Sequence, residues 1–490
     1  MDLVIVILYS LASLLILIYS FAQLTLLISY KKAKKAEENF PVLDLQNEKQ
    51  IPFVTIQLPV YNELYVVERL LKNIAEIDYP KDKLEIQVLD DSTDESVEIT
   101  AKLVKELQLK GLDISHLRRK RRTGFKAGAL KKGLKIAKGE LIAIFDADFL
   151  PKKDWLLQTV PQFKDPEVGL VQTRWTHINR DYSLLTKMLA FALDFHFILE
   201  QRGRNFGKHF MNFNGTAGIW RKECILDAGN WSGDTLTEDL DLSYRAQMKN
   251  WKFKFLENVE TTAELPVVIS AARSQQFRWN KGAAENFRKN YSILFTDKNQ
   301  SPSTKFHGFF HLLNSSIFFL LLLLAVLSVP LLYIQSLNPQ FSWYFNLMGV
   351  FAISAVIFFI CYWVAWSQIY GTNRKSFFSF IGVFFAFFAF AMGLSVTNSR
   401  AIIEGHLGKK SGFIRTPKFN LTGINHSWKN NIYMSRNIPV TVIIEGLLLL
   451  YFGFAIYSAF KLENFGLIVF HLMLFAGFAY VIVKSLSTRS

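Results

Sequence analysis

The stretch Leu141–Phe149, LIAIFDADF, decides the fold. Its first five residues are apolar, which predicts a buried strand of a parallel sheet. The strand ends in two carboxylates, Asp146 and Asp148, separated by a single alanine. Ligands of open α/β sheets bind at the carboxyl ends of the strands. Two close carboxylates at that edge favour a hard divalent cation that also holds phosphate oxygens, although a solvated turn after a strand would explain the same pair.

The composition indicates a protein that is partly embedded in a membrane. Hydrophobic residues make up 50% of the 490 residues, and the apolar excess lies at the N-terminus and beyond His307. The 56 Lys and Arg outnumber the 41 Asp and Glu. Many of the basic residues flank apolar spans, as they do in cytoplasmic loops, so we expect no nucleic-acid partner. Cys224 and Cys361 fall in different regions, which argues against a disulfide scaffold or a zinc site.

The apolar stretch Leu3–Ile28 predicts an N-terminal transmembrane helix, within residues 1–30. A basic run follows this stretch and no basic segment precedes it, which is the reverse of a cleaved signal peptide. The positive-inside rule therefore predicts that the next domain, residues 31–302, is cytoplasmic.

Residues 303–490 predict a membrane domain of about four spans, which brings the total to about five crossings. The spans are expected at His307–Tyr333, Phe345–Trp366, Ile438–Phe460 and Phe465–Val483. The apolar stretch Ser376–Val396 has basic residues on both sides, so both flanks favour the cytoplasm. We therefore interpret residues 376–396 as an interfacial or re-entrant helix, and residues 398–437 as a cytoplasmic loop.

The middle of the chain alternates strands and helices, which predicts a doubly wound sheet with right-handed crossovers. Strands are expected at Phe53–Pro59, Leu84–Leu89, Ile114–Leu117, Leu141–Phe145 and Gly169–Thr173. Two of these strands end in acidic clusters. This pattern is typical of a nucleotide site along one edge of a sheet.

Besides Asp146, three residues are candidates for binding a nucleotide. Asp90 and Asp91 end the second strand, where they can accept hydrogen bonds from a base or ribose; an acidic cap on the next helix is the alternative. Lys126, in GFKAG, lies between the two acidic strand ends in sequence and could hold a phosphate. An exposed helical lysine would also explain Lys126.

The acidic segment Thr237-Glu238-Asp239 opens a predicted helix. Carboxylates in the first turn are favoured by the helix dipole, so capping is one explanation. Three carboxylates within four positions exceed what capping needs, and a general base requires one carboxylate aimed into the site. Asp239 is our candidate.

The helix predicted over residues 271–290 carries Gln275, Arg278 and Trp279 three and four positions apart, and hence on one face. An arginine can stabilise a leaving diphosphate, and tryptophan offers a flat face to a sugar ring. An interfacial helix with ordinary Arg and Trp anchors is the alternative.

Taken in order, these motifs resemble those of the processive family 2 glycosyltransferases, the cellulose synthase superfamily. LPVYNE, QVLDDSTD, GFKAGAL, AIFDADF, NFNGTAG and QQFRW are especially similar to the plant cellulose-synthase-like branch that makes mannan, glucomannan and xyloglucan backbones. The resemblance implies a nucleotide-sugar-binding, doubly wound domain of the GT-A type, inserted between transmembrane helices.

The same resemblance implies a role for each matching residue. Asp90 and Asp91 would contact the nucleoside, Asp146 and Asp148 would bind the diphosphate with Mg²⁺ or Mn²⁺, and Asp239 would be the general base. Glu238, from the same acidic motif, together with Gln275, Arg278 and Trp279, would hold the diphosphate and the acceptor sugar. Phe413, Thr416 and Lys418 match the gating loop of the family, whereas Arg415 departs from its usual apolar residue.

We therefore expect a multi-pass membrane enzyme of an inner, plasma or Golgi-type membrane, an inverting hexosyltransferase that extends a β-linked polysaccharide and channels it across the membrane. Its partners would be a nucleotide sugar, either UDP-glucose or GDP-mannose, and a polysaccharide acceptor; export subunits are not identified by the sequence. Transfer of one β-hexose to a membrane lipid is an alternative, and a non-catalytic nucleotide-binding transporter is a second.

Overall fold

The computed structural model describes residues 2–36, 43, 51–412, 415–420, 431–434 and 437–487. Within these ranges, one mixed sheet contains β1 Val54–Val60, β2 Leu84–Asp90, β3 Ile114–Arg118, β4 Leu141–Ile144, β5 Leu150–Pro151, β6 Val168–His177, β7 Gly218–Arg221 and β8 Lys252–Ala263. The strand order is β3-β2-β1-β4-β7-β6-β8-β5.

The helices divide into a group that packs around the sheet and a group in the apolar parts of the chain. The first group contains α2 Val67–Ile74, α3 Ser96–Leu109, α4 Phe125–Ile136, α5 Trp155–Thr159, α6 Leu184–Asp194, α7 Arg202–Phe206, α8 Lys222–Asp227, α9 Glu238–Gln247 and α10 Ile269–Thr296. The second contains α1 Asp2–Lys35, α11 Pro302–Leu313, α12 Ile317–Leu337, α13 Ser342–Met348, α14 Ala352–Tyr370, α15 Arg374–Gly393, α16 Ser395–His406, α17 Thr441–Lys461 and α18 Ile468–Ser487.

The sheet is parallel on one side and mixed on the other. β3, β2, β1 and β4 are parallel to one another, whereas β7 runs antiparallel to both β4 and β6. The apolar β4 thus has one parallel and one antiparallel neighbour. Its apolar run predicted burial on both faces but did not predict the direction of the next strand. As a result, the carboxyl ends of four strands and the start of β7 lie at the same edge.

Helices cover both faces of the sheet, as a doubly wound fold requires. On one face, α2 and α3 pack on β1 and β2, with Leu70 and Val104 among the buried residues. On the other face, α4, α8 and α9 pack through Leu130, Cys224 and Leu242. Both cysteines are free and buried.

Six helical segments of the described chain are long and apolar enough to cross a membrane: Asp2–Lys35, Pro302–Leu337, Ser342–Tyr370, Arg374–Gly393, Thr441–Lys461 and Ile468–Ser487. The fourth of these, α15, overlaps the stretch expected to be interfacial or re-entrant. Phe191 of α6 contacts both Tyr362 of α14 and Phe387 of α15, so α15 also packs on the domain that contains the sheet. The interfacial assignment and the domain limits at 1–30, 31–302 and 303–490 stay predictions.

Helix α10 joins the domain that contains the sheet to the membrane part. The Arg273 guanidinium donates to both oxygens of Glu445 on α17, at 2.5 and 2.6 Å, and to Thr397 on α16 at 2.8 Å. The fully buried Lys281 pairs with Glu404 of α16 at 3.2 Å. Because these charges are buried, their pairing fixes α10 against the membrane helices.

Candidate active site

A cleft opens at the sheet edge where β1, β2 and β4 end. It is lined by eleven of the residues singled out from the sequence: Asp91, Lys126, Asp146, Asp148, Glu238, Asp239, Gln275, Arg278, Trp279, Thr416 and Lys418. Asp90 is not among the lining residues, and Phe413 lies outside the described residues. The strand ends contribute one wall, and α9, α10 and the segment 415–418 contribute the others.

Lys126 lies at the centre of a buried charge cluster. Its Nζ donates to Asp146 Oδ1 at 2.5 Å and to the Gly215 carbonyl at 2.8 Å. Burial by itself would lower the pKa of Lys126, but the carboxylates of Asp146, Glu238 and Asp239 outweigh it and raise the pKa. Lys126 therefore remains a cation among acids, as a phosphate-binding group must.

The start of α9 brings Glu238 and Asp239 to this cation. Gly215, with a φ of +83°, lets the backbone approach so closely that a Cβ there would lie 3.0 Å from Asp239 Oδ2. Burial and the neighbouring Glu238 raise the pKa of Asp239 to about 7, against the opposing effect of Lys126. A carboxyl group that titrates near neutrality is well matched to general-base catalysis.

A second set of charges surrounds Asp148. The Lys418 ammonium donates to Asp148 Oδ2 at 2.7 Å, and Arg415 pairs with Glu63 at 3.0 Å. Arg415 also donates to the carbonyls of Tyr61 and Asn62. Burial raises the pKa of Glu63 to about 8, more than Arg415 and Lys418 lower it. The segment 415–418 is thus docked into the cleft from far along the chain.

Asp90 and Asp91 have different surroundings. The Asp91 carboxylate accepts two hydrogen bonds from Arg119 and faces the cleft. Asp90 is buried and accepts from the Ser92 amide at 2.8 Å and from His116 at 2.7 Å. Asp90 therefore supports the loop that carries Asp91, and its own contact with a nucleoside stays a prediction.

Near Asp91, the cleft also contains residues that the sequence interpretation did not assign. The Arg122 guanidinium lies over the Tyr61 ring, 3.4 Å from the ring centroid, and both side chains line the cleft. Tyr61 and Glu63 belong to LPVYNE and directly follow β1. Their position after a buried strand could have identified them as candidate site residues.

The cleft is also lined by Trp175 and His177 from β6, and by Glu264, which directly follows β8. Trp175 Nε1 and both ring nitrogens of His177 are buried and have no hydrogen-bond partner within the described chain. Burial lowers the pKa of His177 to about 3, so the ring is neutral. Alternation along β6 places both residues on the same face and could have indicated them.

The three residues expected on one face of α10 all line the cleft. Gln275, Arg278 and Trp279 lie opposite the strand ends. Burial lowers the pKa of Arg278, while the carboxylates of Glu238, Asp146 and Asp239 act to raise it. Arg278 is thus a cation facing a cleft rich in acids.

The chemistry of Asp146 and Asp148 fits a divalent cation that a diphosphate helps to hold. No group of three or more His, Cys, Asp or Glu that could hold a metal alone is found in the described ranges. Mg²⁺ commonly needs only one or two carboxylates when substrate phosphates and water complete its shell. Both carboxylates are paired with lysines, and those lysines can transfer their pairing to phosphate oxygens.

Sequence comparisons place this chain in a family. Residues 141–396 match the pattern described as glycosyl transferase family group 2, and residues 55–226 match glycosyl transferase family 2. The chain belongs to glycosyl transferase family group 2. The resemblance inferred from the motifs is confirmed.

The similar proteins include plant relatives of this family member. Probable glucomannan 4-beta-mannosyltransferase 4 of Oryza sativa subsp. japonica is 41% identical over 261 residues, covering 52% of this chain and 48% of that protein. Glucomannan 4-beta-mannosyltransferase 9 of Arabidopsis thaliana is 41% identical over 261 residues, covering 52% and 49%. The chain spans about half the length of the curated relatives it matches.

The fold is similar to that of a solved archaeal structure. The mannosyltransferase PcManGT from Pyrobaculum calidifontis, in complex with GDP-Man and Mn²⁺, aligns with a TM-score of 0.54 at 19% identity, covering 82% of this chain and all of that one. The expected GT-A type of fold is confirmed.

Proposed function

We propose that this family member is a membrane-embedded, inverting hexosyltransferase that extends a β-linked polysaccharide from a nucleotide sugar. The observation that carries the proposal is the convergence of Asp148, Asp239 and Trp279 in one cleft. These residues are far apart in the sequence, and each has a simple structural explanation alone. Their convergence beside cationic groups supports a common chemical role.

The donor would bind along the strand ends. Asp91 and the stacked pair of Tyr61 and Arg122 would receive the nucleoside, and Lys126 and Arg278 would face the diphosphate. Asp146 and Asp148 would hold Mg²⁺ or Mn²⁺, which supplies positive charge for the departing diphosphate. The cations offset the negative charge that develops as the bond to the sugar breaks.

Asp239 would act as the general base. Its carboxylate takes the proton from an acceptor hydroxyl, whose oxygen attacks the anomeric carbon while the bond to the diphosphate breaks. A single displacement inverts that carbon and yields a β-linkage from an α-linked donor. Trp279 would hold the acceptor sugar through its flat face, and the unpartnered nitrogens of Trp175 and His177 suit a ligand rich in hydroxyl groups.

A GDP-linked mannose is the favoured donor, with UDP-glucose as the alternative. The plant relatives are named glucomannan 4-beta-mannosyltransferases, and the archaeal structure contains GDP-Man. The basic residues that follow α1 favour a cytoplasmic catalytic domain. From there the membrane helices would channel the growing chain, and Thr416 and Lys418 would belong to a loop that closes the cleft.

The test supplies purified protein with radiolabelled GDP-mannose or UDP-glucose and either metal, and then separates the products. Insoluble polymer is expected. An organic-extractable product would instead establish transfer to a lipid. If no donor gives metal-dependent release of nucleoside diphosphate, the protein has a non-catalytic role.

Asp239→Asn tests the base. It should slow transfer by orders of magnitude and leave donor binding, measured by titration calorimetry, largely intact. Asp234→Asn is the matched control, because Asp234 is an exposed carboxylate nearby that pairs with Lys289. Retained turnover in Asp239→Asn would remove the assignment.

A further inference from the structure

A second pocket lies outside the cleft, where the end of α14 and the start of α15 meet the start of α6. We call it the interfacial pocket. None of its lining residues lines the cleft. Trp366 and Tyr370, stacked with centroids 4.0 Å apart, form an aromatic wall, and Lys187 and Lys375 contribute cations.

The interfacial pocket has more positive than negative charge. Arg180 is occupied by Asp194, to which it donates two hydrogen bonds, and Lys187 lies 3.4 Å from Asp181 with both side chains largely exposed. Neither Lys375 nor its neighbour Arg374 forms an ion pair with a carboxylate in the part of the chain that the structure describes. Three cationic side chains, Arg180, Lys187 and Lys375, therefore line the pocket together with one carboxylate, Asp181.

The start of α15 increases this imbalance. The N-terminus of a helix carries partial positive charge and is stabilised by acidic residues. Helix α15 instead begins with Arg374 and Lys375, after the cap formed by Asn373. Cations from α6 and from this first turn thus meet at one concave site, a place where an anion would be stabilised.

The surroundings match the boundary of a membrane. Trp366 and Tyr370 lie at the end of an apolar helix, where aromatic belts form. On the other side, Val383 lines the pocket, and the side chain of Phe378 is 60% exposed. A free inorganic anion gains nothing from contact with these apolar side chains, whereas the acyl chains of a lipid would pack against them.

We propose that the interfacial pocket binds the head group of an anionic phospholipid. The phosphate would lie between Lys187 and Lys375, with the hydroxyl of Ser379 as a further donor, and the acyl chains would follow the apolar side of α15. Basic pockets between membrane helices bind lipid head groups in this way. This pocket shares no lining residue with the cleft, so the bound lipid is not the acceptor.

The experiment is native mass spectrometry of the full chain in detergent, titrated with phosphatidylglycerol or phosphatidylcholine. The test variant is Lys187→Gln with Lys375→Gln. The matched control is Lys31→Gln with Lys32→Gln, which removes two exposed cations at the end of α1. We expect phosphatidylglycerol to bind more tightly than phosphatidylcholine, and its affinity to fall about fivefold per removed charge in the test variant only.

Two further arms separate the explanations. Lys187→Arg with Lys375→Arg should retain binding, because the charge is kept. A large excess of inorganic phosphate should leave phosphatidylglycerol bound; displacement would mean a free-anion site and would overturn the proposal. Equal binding of both lipids, unchanged affinity in the test variant, or an equal loss in the control would overturn it as well.

Discussion

Two of the arginines of helix α10, Arg273 and Arg278, carry charges that have different surroundings. Arg273 belongs to a cluster that we call the membrane joint, formed with Thr397, Glu445 and Ser485. Little more than one turn later, Arg278 faces the cleft cluster of Lys126, Asp146, Glu238 and Asp239. The same helix thus connects a structural ion pair to a chemical site.

The two clusters differ in how their charges are balanced. In the membrane joint, one guanidinium meets one carboxylate through two short hydrogen bonds. In the cleft cluster, the adjacent carboxyl groups of Glu238 and Asp239 raise each other's energy when ionised, and Lys126 offsets only part of this. Like charges held together cost stability and are typical of sites kept for chemistry.

The largest effect is expected from breaking the chemical cluster. Asp239→Asn should slow transfer by about 10²–10⁴-fold, the usual contribution of a general base. It should not lower the melting temperature, because it removes one of two repelling acids. Initial rates and thermal unfolding of the same preparation measure both effects; a large loss of stability would mean that Asp239 belongs to the architecture.

A substitution in the membrane joint should lower the stability of the fold, whereas Asp239→Asn should not. Arg273→Met leaves Glu445 buried without its partner and should cost about 3–5 kcal/mol of unfolding free energy. The double variant Arg273→Met with Glu445→Leu should recover most of the loss, because no buried charge remains. Denaturant unfolding in detergent compares the variants. A double variant as unstable as the single one would show that the pair is not the cause.

The pH dependence of activity and of stability should distinguish the cleft cluster from the membrane joint. The pKa of Asp239 is raised from 3.8 to about 7, so kcat/KM should fall about tenfold per pH unit below that value. The same shift makes the folded state bind more protons than the unfolded state between these pKa values. Stability from this group is therefore lost as pH rises from 3.8 to about 7. Asp239→Asn should abolish this decline in stability. Melting temperatures measured across this pH range test the expectation.

The smallest effect is expected at Lys126. Lys126→Gln should raise the donor KM by about tenfold, since hydrogen bonds to charged groups are worth about 1.5–3 kcal/mol. It should also move the acid limb of the pH profile to higher pH, because Lys126 lowers the pKa of Asp239. Lys131→Gln, an exposed lysine on the same helix, is the control. An unchanged acid limb would contradict the electrostatic link.

Much of the fold followed from local patterns. Apolar runs ending in polar residues indicated β1, β2 and β4, and the rule that parallel strands end at one edge predicted that Asp91 and Asp146 would face one site. Helical spacing predicted the common face of Gln275, Arg278 and Trp279. The sequence interpretation did not include β7 and β8. β7 has only four residues, which give little periodicity, and a register shift interrupts the longer β8.

What the sequence determined by itself is the placement of acids after buried strands and of an Arg/Trp face on one helix, because these depend on periods of two and 3.6 residues. Only the tertiary structure decided that β6 and β8 bring His177 and Glu264 to the cleft, that Lys418 reaches Asp148, and that Arg273 finds Glu445. The strand pairing of His177 with Ala263 joins residues 86 positions apart, and the two ion pairs join residues 172 and 270 positions apart. No local pattern records such pairings, since they arise from strand order and helix packing.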